Sequence, residues 1–322
     1  PAERTRRFGE LGLAPDRVGA GLEVGAGQLA QDPAQLVERS FHGGIHGGGG
    51  PSYIQVTMTS PNEPSYRPNS FDEWLQAFKE QATFFTGLKL DVGLPRWQLA
   101  DVLPVLPFVG AMVGLGAGLV FWIVSGIAGP GWLAAVLAVG AAVAITRALH
   151  EDGLADTADG LGPHGLEPAR RLEIMRDSRN GTFGVLAIAL GVLVKVACLA
   201  QFSGATGLVV LIGAHALSRA VLAYPLLAFS PVHSDGLGAQ AGKPTDNDVW
   251  LTIAIGAGLA FVLLLGKGFF AALLTPIVAA AVGMFAAHWI ARRLGGYTGD
   301  TLGAVQQKVE ITFLVMAALF FG

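Results

Sequence analysis

One stretch of the chain, from Val102 to Thr146, contains no Asp, Glu, Lys or Arg. A membrane-spanning helix needs about 20 predominantly apolar residues, so this stretch is long enough for two crossings. The sequence Gly-Pro-Gly at Gly129 to Gly131 offers a turn between them. With 52% hydrophobic and 14% charged residues among 322, the chain is too apolar for an ordinary soluble domain. The charge-free stretch therefore predicts a membrane hairpin.

Similar apolar segments follow along the rest of the chain. We predict an all-α fold, a polytopic integral membrane helical bundle of about six to seven transmembrane helices whose partner is the lipid bilayer. The residues leave open whether copies of the chain form a homo-oligomer. The predicted spans are residues 102–125, 131–149, 183–203, 206–229, 249–266, 268–289 and 305–321.

The basic residues outside these spans predict the orientation. They collect on one side, and only Lys267 lies on the other. The positive-inside rule therefore places the long loops in the cytoplasm. Because the net charge is −3 and the basic residues are dispersed among acids, no nucleic-acid partner is expected. The basic residues of the cytoplasmic side are Lys79, Lys89, Arg96, Arg170, Arg171, Arg176, Arg179, Lys243, Arg292 and Arg293.

The chain divides into three predicted parts. Residues 1–57 lack any sustained period, and we expect a disordered or non-native extension with the functional protein beginning at Met58. Residues 58–100 form a cytosolic segment with an amphipathic helix lying along the bilayer surface, or packing on the membrane domain. Residues 101–322 form the transmembrane catalytic domain. The apolar face of the helix consists of Phe71, Trp74, Leu75, Phe78, Ala82 and Phe85.

Four acids appear together directly after the second predicted span, in the sequence HEDGLADTADG from His150. Asp152, Asp156 and Asp159 stand at positions i, i+4 and i+7, which places them within about 60° of one another on a helix. Three ionised carboxylates so close repel one another, and Mg²⁺ relieves such repulsion. The pattern predicts catalytic metal ligands; a solvated helix face is the alternative.

The following loop supplies complementary charges in the sequence RRLEIMRDSRNGTFG. Arg176 and Arg179 flank Asp177 close to small residues. Arginines bind phosphate oxygens through paired hydrogen bonds, so acids for a metal and arginines for phosphate together favour a pyrophosphate site. Orientation by the positive-inside rule is an alternative explanation for the loop arginines.

Further ionisable residues lie within or beside the spans. Lys195, Arg219 and Glu310 are costly in lipid, so they are expected to face a protein-lined interior and to border the site. For Lys195, snorkelling to the interface or pairing with an acid is an equal alternative. Asp300, among glycines and threonines in the last loop, is predicted to make a second metal or anion contact.

Four motifs in this order resemble the cobalamin synthase family, the adenosylcobinamide-GDP ribazoletransferases. They are HEDGLADTADGLG, RRLEIMRDSRNGTFG, HALSR and GGYTGDTLGAVQQ, and the resemblance covers roughly residues 75–322. It implies a Mg²⁺-dependent enzyme of the inner membrane that joins adenosylcobinamide-GDP to α-ribazole or its 5′-phosphate and releases GMP.

Two other classes of protein share parts of this pattern. CDP-alcohol phosphotransferases also carry membrane-embedded aspartates, but Thr157 stands where their signature requires Arg. A transporter could hold charged residues within its spans, yet the richest polar motifs here lie in loops on one face and no internal repeat is evident. The enzyme is therefore the favoured interpretation.

Overall fold

The computed structural model describes residues 67–93, 96–129, 131–177, 179–234 and 237–322. The predicted extension, residues 1–57, lies outside these ranges. The described residues are helical, and their strand-like pairing is limited to a single bridge between Pro231 and Tyr297. This confirms the predicted all-α bundle.

Twelve α-helices follow one another along the described chain, and a 3₁₀ segment at Leu99–Val105 leads into the second of them. They are α1 (Phe71–Phe85), α2 (Leu106–Ala128), α3 (Trp132–Thr146), α4 (Leu149–Leu161), α5 (Pro168–Met175), α6 (Thr182–Leu199), α7 (Gly204–Ala220), α8 (Ala223–Ala228), α9 (Leu237–Gln240), α10 (Asp246–Leu264), α11 (Phe269–Leu294) and α12 (Gly299–Phe321).

Within the described residues, six helical segments are long and apolar enough to cross a membrane, and α3 with α4 gives a seventh if that bent pair is one span. The six begin with the 3₁₀ segment and α2, and continue with α6, α7 joined to α8, α10, α11 and α12. The count agrees with the predicted six to seven. The eight-residue polar helix α5 lies in the segment that the sequence predicts as a loop.

Helix α1 confirms the predicted amphipathic helix and packs on the membrane domain. Ser70 caps it, accepting a hydrogen bond from the backbone N–H of Glu73. Ala82 and Phe85 are buried in a cluster with Leu103 and Leu106 at the start of the first span. The outer edge of the helix stays apolar, since Phe71 is 80% exposed. The inner face of α1 therefore packs on the bundle, which was the alternative prediction.

Small residues bring α2 and α7 into close contact. A Cβ atom added at Gly110 would lie 2.9 Å from the Cα of Ala216, and one at Gly114 would lie 2.7 Å from the Cα of Ile212. Spans lack a hydrophobic force that drives them together in lipid, so such backbone approach is a main source of helix association. The two glycines therefore set the spacing of the central helix pair.

We expect Gly114→Ala to destabilise the bundle by about 1–3 kcal/mol, because the added methyl group meets backbone atoms that cannot move independently. Gly126→Ala on the same helix is the matched control, since nothing lies within 4 Å of its added Cβ. Thermal unfolding in detergent measures both. Equal melting temperatures for the two variants would contradict the packing account.

Candidate active site

The acidic helix α4 leaves the line of α3 through a sharp break. Arg147 and Ala148 both adopt the left-handed conformation, with φ of 54° and 58°, and the two helix axes differ by 90°. A residue other than glycine costs about 1–2 kcal/mol in this conformation. The break therefore carries strain that neighbouring contacts must hold.

The end of α1 supplies these contacts. Arg147 donates from Nη2 to the carbonyl oxygen of Thr86 at 2.8 Å. Gly87 donates its backbone N–H to the carbonyl oxygen of Ile145 at 2.7 Å. The amphipathic helix thus has a second role, which is to fix the direction in which α4 leaves the bundle.

Helix α4 packs directly on the start of α12. A Cβ added at Gly153 would lie 2.6 Å from the carbonyl oxygen of Asp300, and one at Gly303 would lie 3.3 Å from the Cα of His150. At Gly153 only glycine permits this approach. The contact brings the carboxylates of α4 beside the carboxylate of Asp300, which the sequence placed in a separate loop.

Four carboxylates consequently form one acidic cluster, consisting of Asp152, Asp156, Asp159 and Asp300. Asp156 is partly buried, and the charges of the other three all act against its ionised form. Asp152 is exposed and, among the described residues, has no hydrogen-bond donor to its side chain. The cluster therefore holds uncompensated negative charge, which a cation or a cationic group would stabilise.

Asp159 differs from the other members because its carboxylate caps α6. It accepts hydrogen bonds from the backbone N–H groups of Gly181 at 2.7 Å and Gly184 at 2.9 Å. The first N–H groups of a helix lack partners within the helix, and a carboxylate at that end also interacts favourably with the helix dipole. Asp159 thus has a structural role that the i, i+4, i+7 pattern did not reveal.

The described residues contain no group of three His, Cys, Asp or Glu side chains arranged to hold a metal ion by themselves. Mg²⁺ commonly binds one or two carboxylates together with water and substrate phosphates, so a closed cage is not required. The carboxylates of Asp152, Asp156 and Asp300 are hard oxygen donors of the type that Mg²⁺ prefers. The donor chemistry therefore fits a metal that substrate helps to bind.

His233 links Arg176 to the acidic cluster. No sequence motif singled out this histidine. The Nη2 atom of Arg176 is 3.1 Å from the imidazole nitrogens of His233, and the charge of His233 acts on Asp300. Backbone pairing between Val232 and Tyr297, at 2.9 Å, holds the histidine loop next to the start of α12. The polar sequence around His233 was the only available signal.

Arg179 and Asp177 form an exposed ion pair in the loop before α6. The guanidinium of Arg179 donates to the carboxylate of Asp177 at 2.8 and 3.1 Å. These hydrogen bonds lower the pKa of Asp177 to about 2. Because both side chains are exposed, the pair contributes little to stability. Both remain able to meet a ligand.

Lys195, Arg219 and Glu310 belong to a buried polar network inside the bundle. Lys195 Nζ lies 2.6 Å from Glu310 Oε1 and 3.4 Å from Glu151 Oε1. Gln307 Nε2 donates to the same Glu151 oxygen at 3.0 Å. All five side chains are nearly inaccessible, so the structure places Lys195, Arg219 and Glu310 behind the acidic cluster rather than on its surface.

The rest of the network connects α7 with α12. His215 Nδ1 lies 3.3 Å from Glu310 Oε2 and 3.0 Å from Arg219 Nη1. Gln306 donates to Glu310 at 2.6 Å. Removing one member of a buried charged set leaves its partners unpaired, which costs about 3–5 kcal/mol. The network therefore ties α4, α6, α7 and α12 together directly beneath Asp152.

The fold and the cluster define a class, namely polytopic helical membrane proteins with a carboxylate site at one end of the bundle. A family model described as cobalamin-5-phosphate synthase matches residues 77–318. The chain belongs to this cobalamin synthase family. The match begins within α1, extends to the last turns of α12 and includes all four clustered carboxylates.

Individual relatives agree with the family model. The adenosylcobinamide-GDP ribazoletransferase of Allorhizobium ampelinum is 42% identical over 218 residues, which cover 66% of this chain and 83% of the relative. The protein of that name from Shewanella amazonensis is 38% identical over 265 residues, 78% of this chain and 98% of the relative. No solved structure matches the chain.

The capping role of Asp159 gives a direct test. We expect Asp159→Ala to lower the stability of the metal-free protein by about 1–3 kcal/mol, because the backbone N–H groups of Gly181 and Gly184, the second of them buried, lose their acceptor. Asp152→Ala removes the same charge from the same helix without breaking a hydrogen bond, and serves as the control. Thermal unfolding without divalent metal decides; an Asp159 variant as stable as the control would refute the cap.

Proposed function

We propose that this chain is an adenosylcobinamide-GDP ribazoletransferase. In this proposal it joins adenosylcobinamide-GDP to α-ribazole, or to α-ribazole 5′-phosphate, and releases GMP. Family membership and the names of the relatives support the activity. The observation that carries the assignment to a site is the convergence of Asp152 and Asp156 on α4 with Asp300 on α12.

The reaction requires charge neutralisation and alignment. A ribose hydroxyl attacks the cobinamide-side phosphorus of the pyrophosphate, the bond to the GMP oxygen breaks, and the hydroxyl proton must leave. We propose that Asp152, Asp156 and Asp300 hold Mg²⁺ together with the pyrophosphate. Bound Mg²⁺ supplies neutralisation of the phosphate charge. The protein side chains supply position and a proton acceptor.

The arginine side of the site complements the carboxylates. Arg176, held against His233 beside Asp300, is placed to donate hydrogen bonds to phosphate oxygens. Arg179 becomes available for phosphate if Asp177 turns away from it, since the pair is exposed. A carboxylate of the cluster accepts the hydroxyl proton, because neighbouring negative charges raise its proton affinity.

Lys195, Arg219 and Glu310 act in this proposal by holding the site rather than by contacting substrate. Their burial excludes direct contact in the described conformation. Glu151 accepts a hydrogen bond from Gln307 and is adjacent to Asp152, so it connects the buried network to the cluster. The predicted site residues thus divide into a surface group that meets ligand and a buried group that positions it.

We also propose that the chain lies in the inner membrane and that its site faces the cytoplasm. Arg147, Arg176 and Lys243 accompany the cluster at one end of the bundle, and Lys267 lies at the other. A His164→Cys variant tests this, because His164 is exposed and the native Cys198 is buried. Labelling from the periplasmic side of intact cells would contradict the orientation.

Asp156→Asn and Asp152→Asn test the catalytic role. Each preserves shape and removes one negative charge, so we expect turnover to fall on the order of 10² to 10³, as loss of a preorganised electrostatic contact does. GMP release by purified protein in detergent, measured against Mg²⁺ concentration, reports the effect.

Glu173→Gln is the matched control, because Glu173 is an exposed carboxylate of the same cytoplasmic segment that pairs only with Arg170. It should keep wild-type turnover and a wild-type metal curve. Two aspartate variants that behave like this control would reject the catalytic assignment. A purified chain that releases CMP from a CDP-alcohol instead of GMP would reject the substrate.

A further inference from the structure

One face of α11 carries an ordered series of aromatic and basic residues over its last turns. Phe285, His288, Trp289, Arg292 and Arg293 stand at positions i, i+3, i+4, i+7 and i+8, and they line an open groove. At a rise of about 1.5 Å per residue the series extends about 12 Å along the helix axis. We call it the α11 stripe. None of the residues assigned to the proposed reaction lines this groove.

The apolar members of the stripe face outward. Phe285 is 71% exposed and Trp289 is 42% exposed. The guanidinium carbon of Arg293 lies 3.7 Å from the ring centroid of Trp289, a cation–π contact that holds the charge against the aromatic surface. Within the described ranges, neither Arg292 nor Arg293 has an acidic partner within salt-bridge distance. The stripe therefore presents unneutralised positive charge.

Neighbouring aromatic rings mark the depth of this stripe in the membrane. Tyr224 donates or accepts a hydrogen bond with His288 at 3.2 Å, and its ring centroid lies 6.4 Å from that of the half-exposed Trp250 on α10. Trp and Tyr concentrate at the boundary between hydrocarbon and headgroups. Arg292 and Arg293, one turn further out than Trp289, consequently lie at the level of lipid phosphates.

We propose that the α11 stripe binds an anionic phospholipid. The order along the helix matches the lipid: Phe285 contacts the acyl chain, Trp289 the glycerol region, and the two guanidiniums bind phosphate oxygens. A zwitterionic headgroup carries its own positive charge, which Arg292 and Arg293 repel. The stripe therefore favours a lipid of net negative charge such as phosphatidylglycerol. Cations at a helix C-terminus also complement its dipole, but the dipole explains neither the exposed aromatic residues nor their order.

Native mass spectrometry of the purified full chain tests the proposal. The protein in detergent is mixed with dioleoylphosphatidylglycerol or dioleoylphosphatidylcholine, and the fraction that carries one lipid is measured. We expect the wild type to prefer phosphatidylglycerol, and R292Q/R293Q to lose that binding on the order of tenfold. K89Q/K243Q removes two exposed charges elsewhere and should bind like the wild type. R292K/R293K keeps the charge and should retain part of the preference.

Three results of the lipid-binding measurement would overturn the proposal. They are equal binding of the two lipids by the wild type, unchanged phosphatidylglycerol binding by R292Q/R293Q, and displacement of the lipid by an equal concentration of glycerol phosphate. The last would identify a site for free phosphate rather than for a lipid. The wild type could also show a dimer mass that disappears in R292Q/R293Q while lipid binding stays unchanged. This outcome would assign the stripe to a second copy of the chain, and would equally reject the lipid site.

Discussion

The arrangement depends on how a cluster of carboxylates is kept at the edge of an apolar bundle. Ionised acids are unstable in hydrocarbon, so α4 cannot continue straight from α3. The break at Arg147 and Ala148 turns α4 by 90°, and the contacts from Thr86 and Gly87 stabilise its strained backbone. The amphipathic helix, the break and the acidic helix form one unit, in which α1 determines where the acids lie.

The buried network supports this unit from below. Lys195 pairs with Glu151 and Glu310, and Gln307 donates a further hydrogen bond to Oε1 of Glu151, the neighbour of Asp152 in the chain. Charges enclosed in this way give a unique arrangement only while every partner is present, since a single deletion leaves an unpaired charge. Losses of activity from changes in the network are therefore expected to follow losses of stability, whereas changes at Asp152 or Asp156 should separate the two.

The bundle and its acidic helix were predictable because both rest on local patterns. Charge-free stretches gave the spans, and the i, i+4, i+7 spacing gave the shared face of the aspartates. The spacing could not reveal that Asp159 caps α6, because Gly181 and Gly184 belong to another helix. Nor could it show that Lys195 pairs with Glu310, or that His233 meets Arg176, since these contacts join distant segments. Most of the site is formed by tertiary contacts between distant segments, and only its α4 part comes from neighbouring residues in the sequence.

The central claim is that carboxylates from α4 and α12 act as one cation site, and Asp300 tests it because no local pattern links it to Asp156. Binding of Mn²⁺ to the purified chain, with and without adenosylcobinamide-GDP, can be followed by the electron paramagnetic resonance signal of free Mn²⁺. The account predicts that Asp300→Asn weakens Mn²⁺ binding about as much as Asp156→Asn does, while Glu173→Gln leaves it unchanged. Wild-type affinity for Mn²⁺ in the Asp300 variant would contradict a site shared between the two helices.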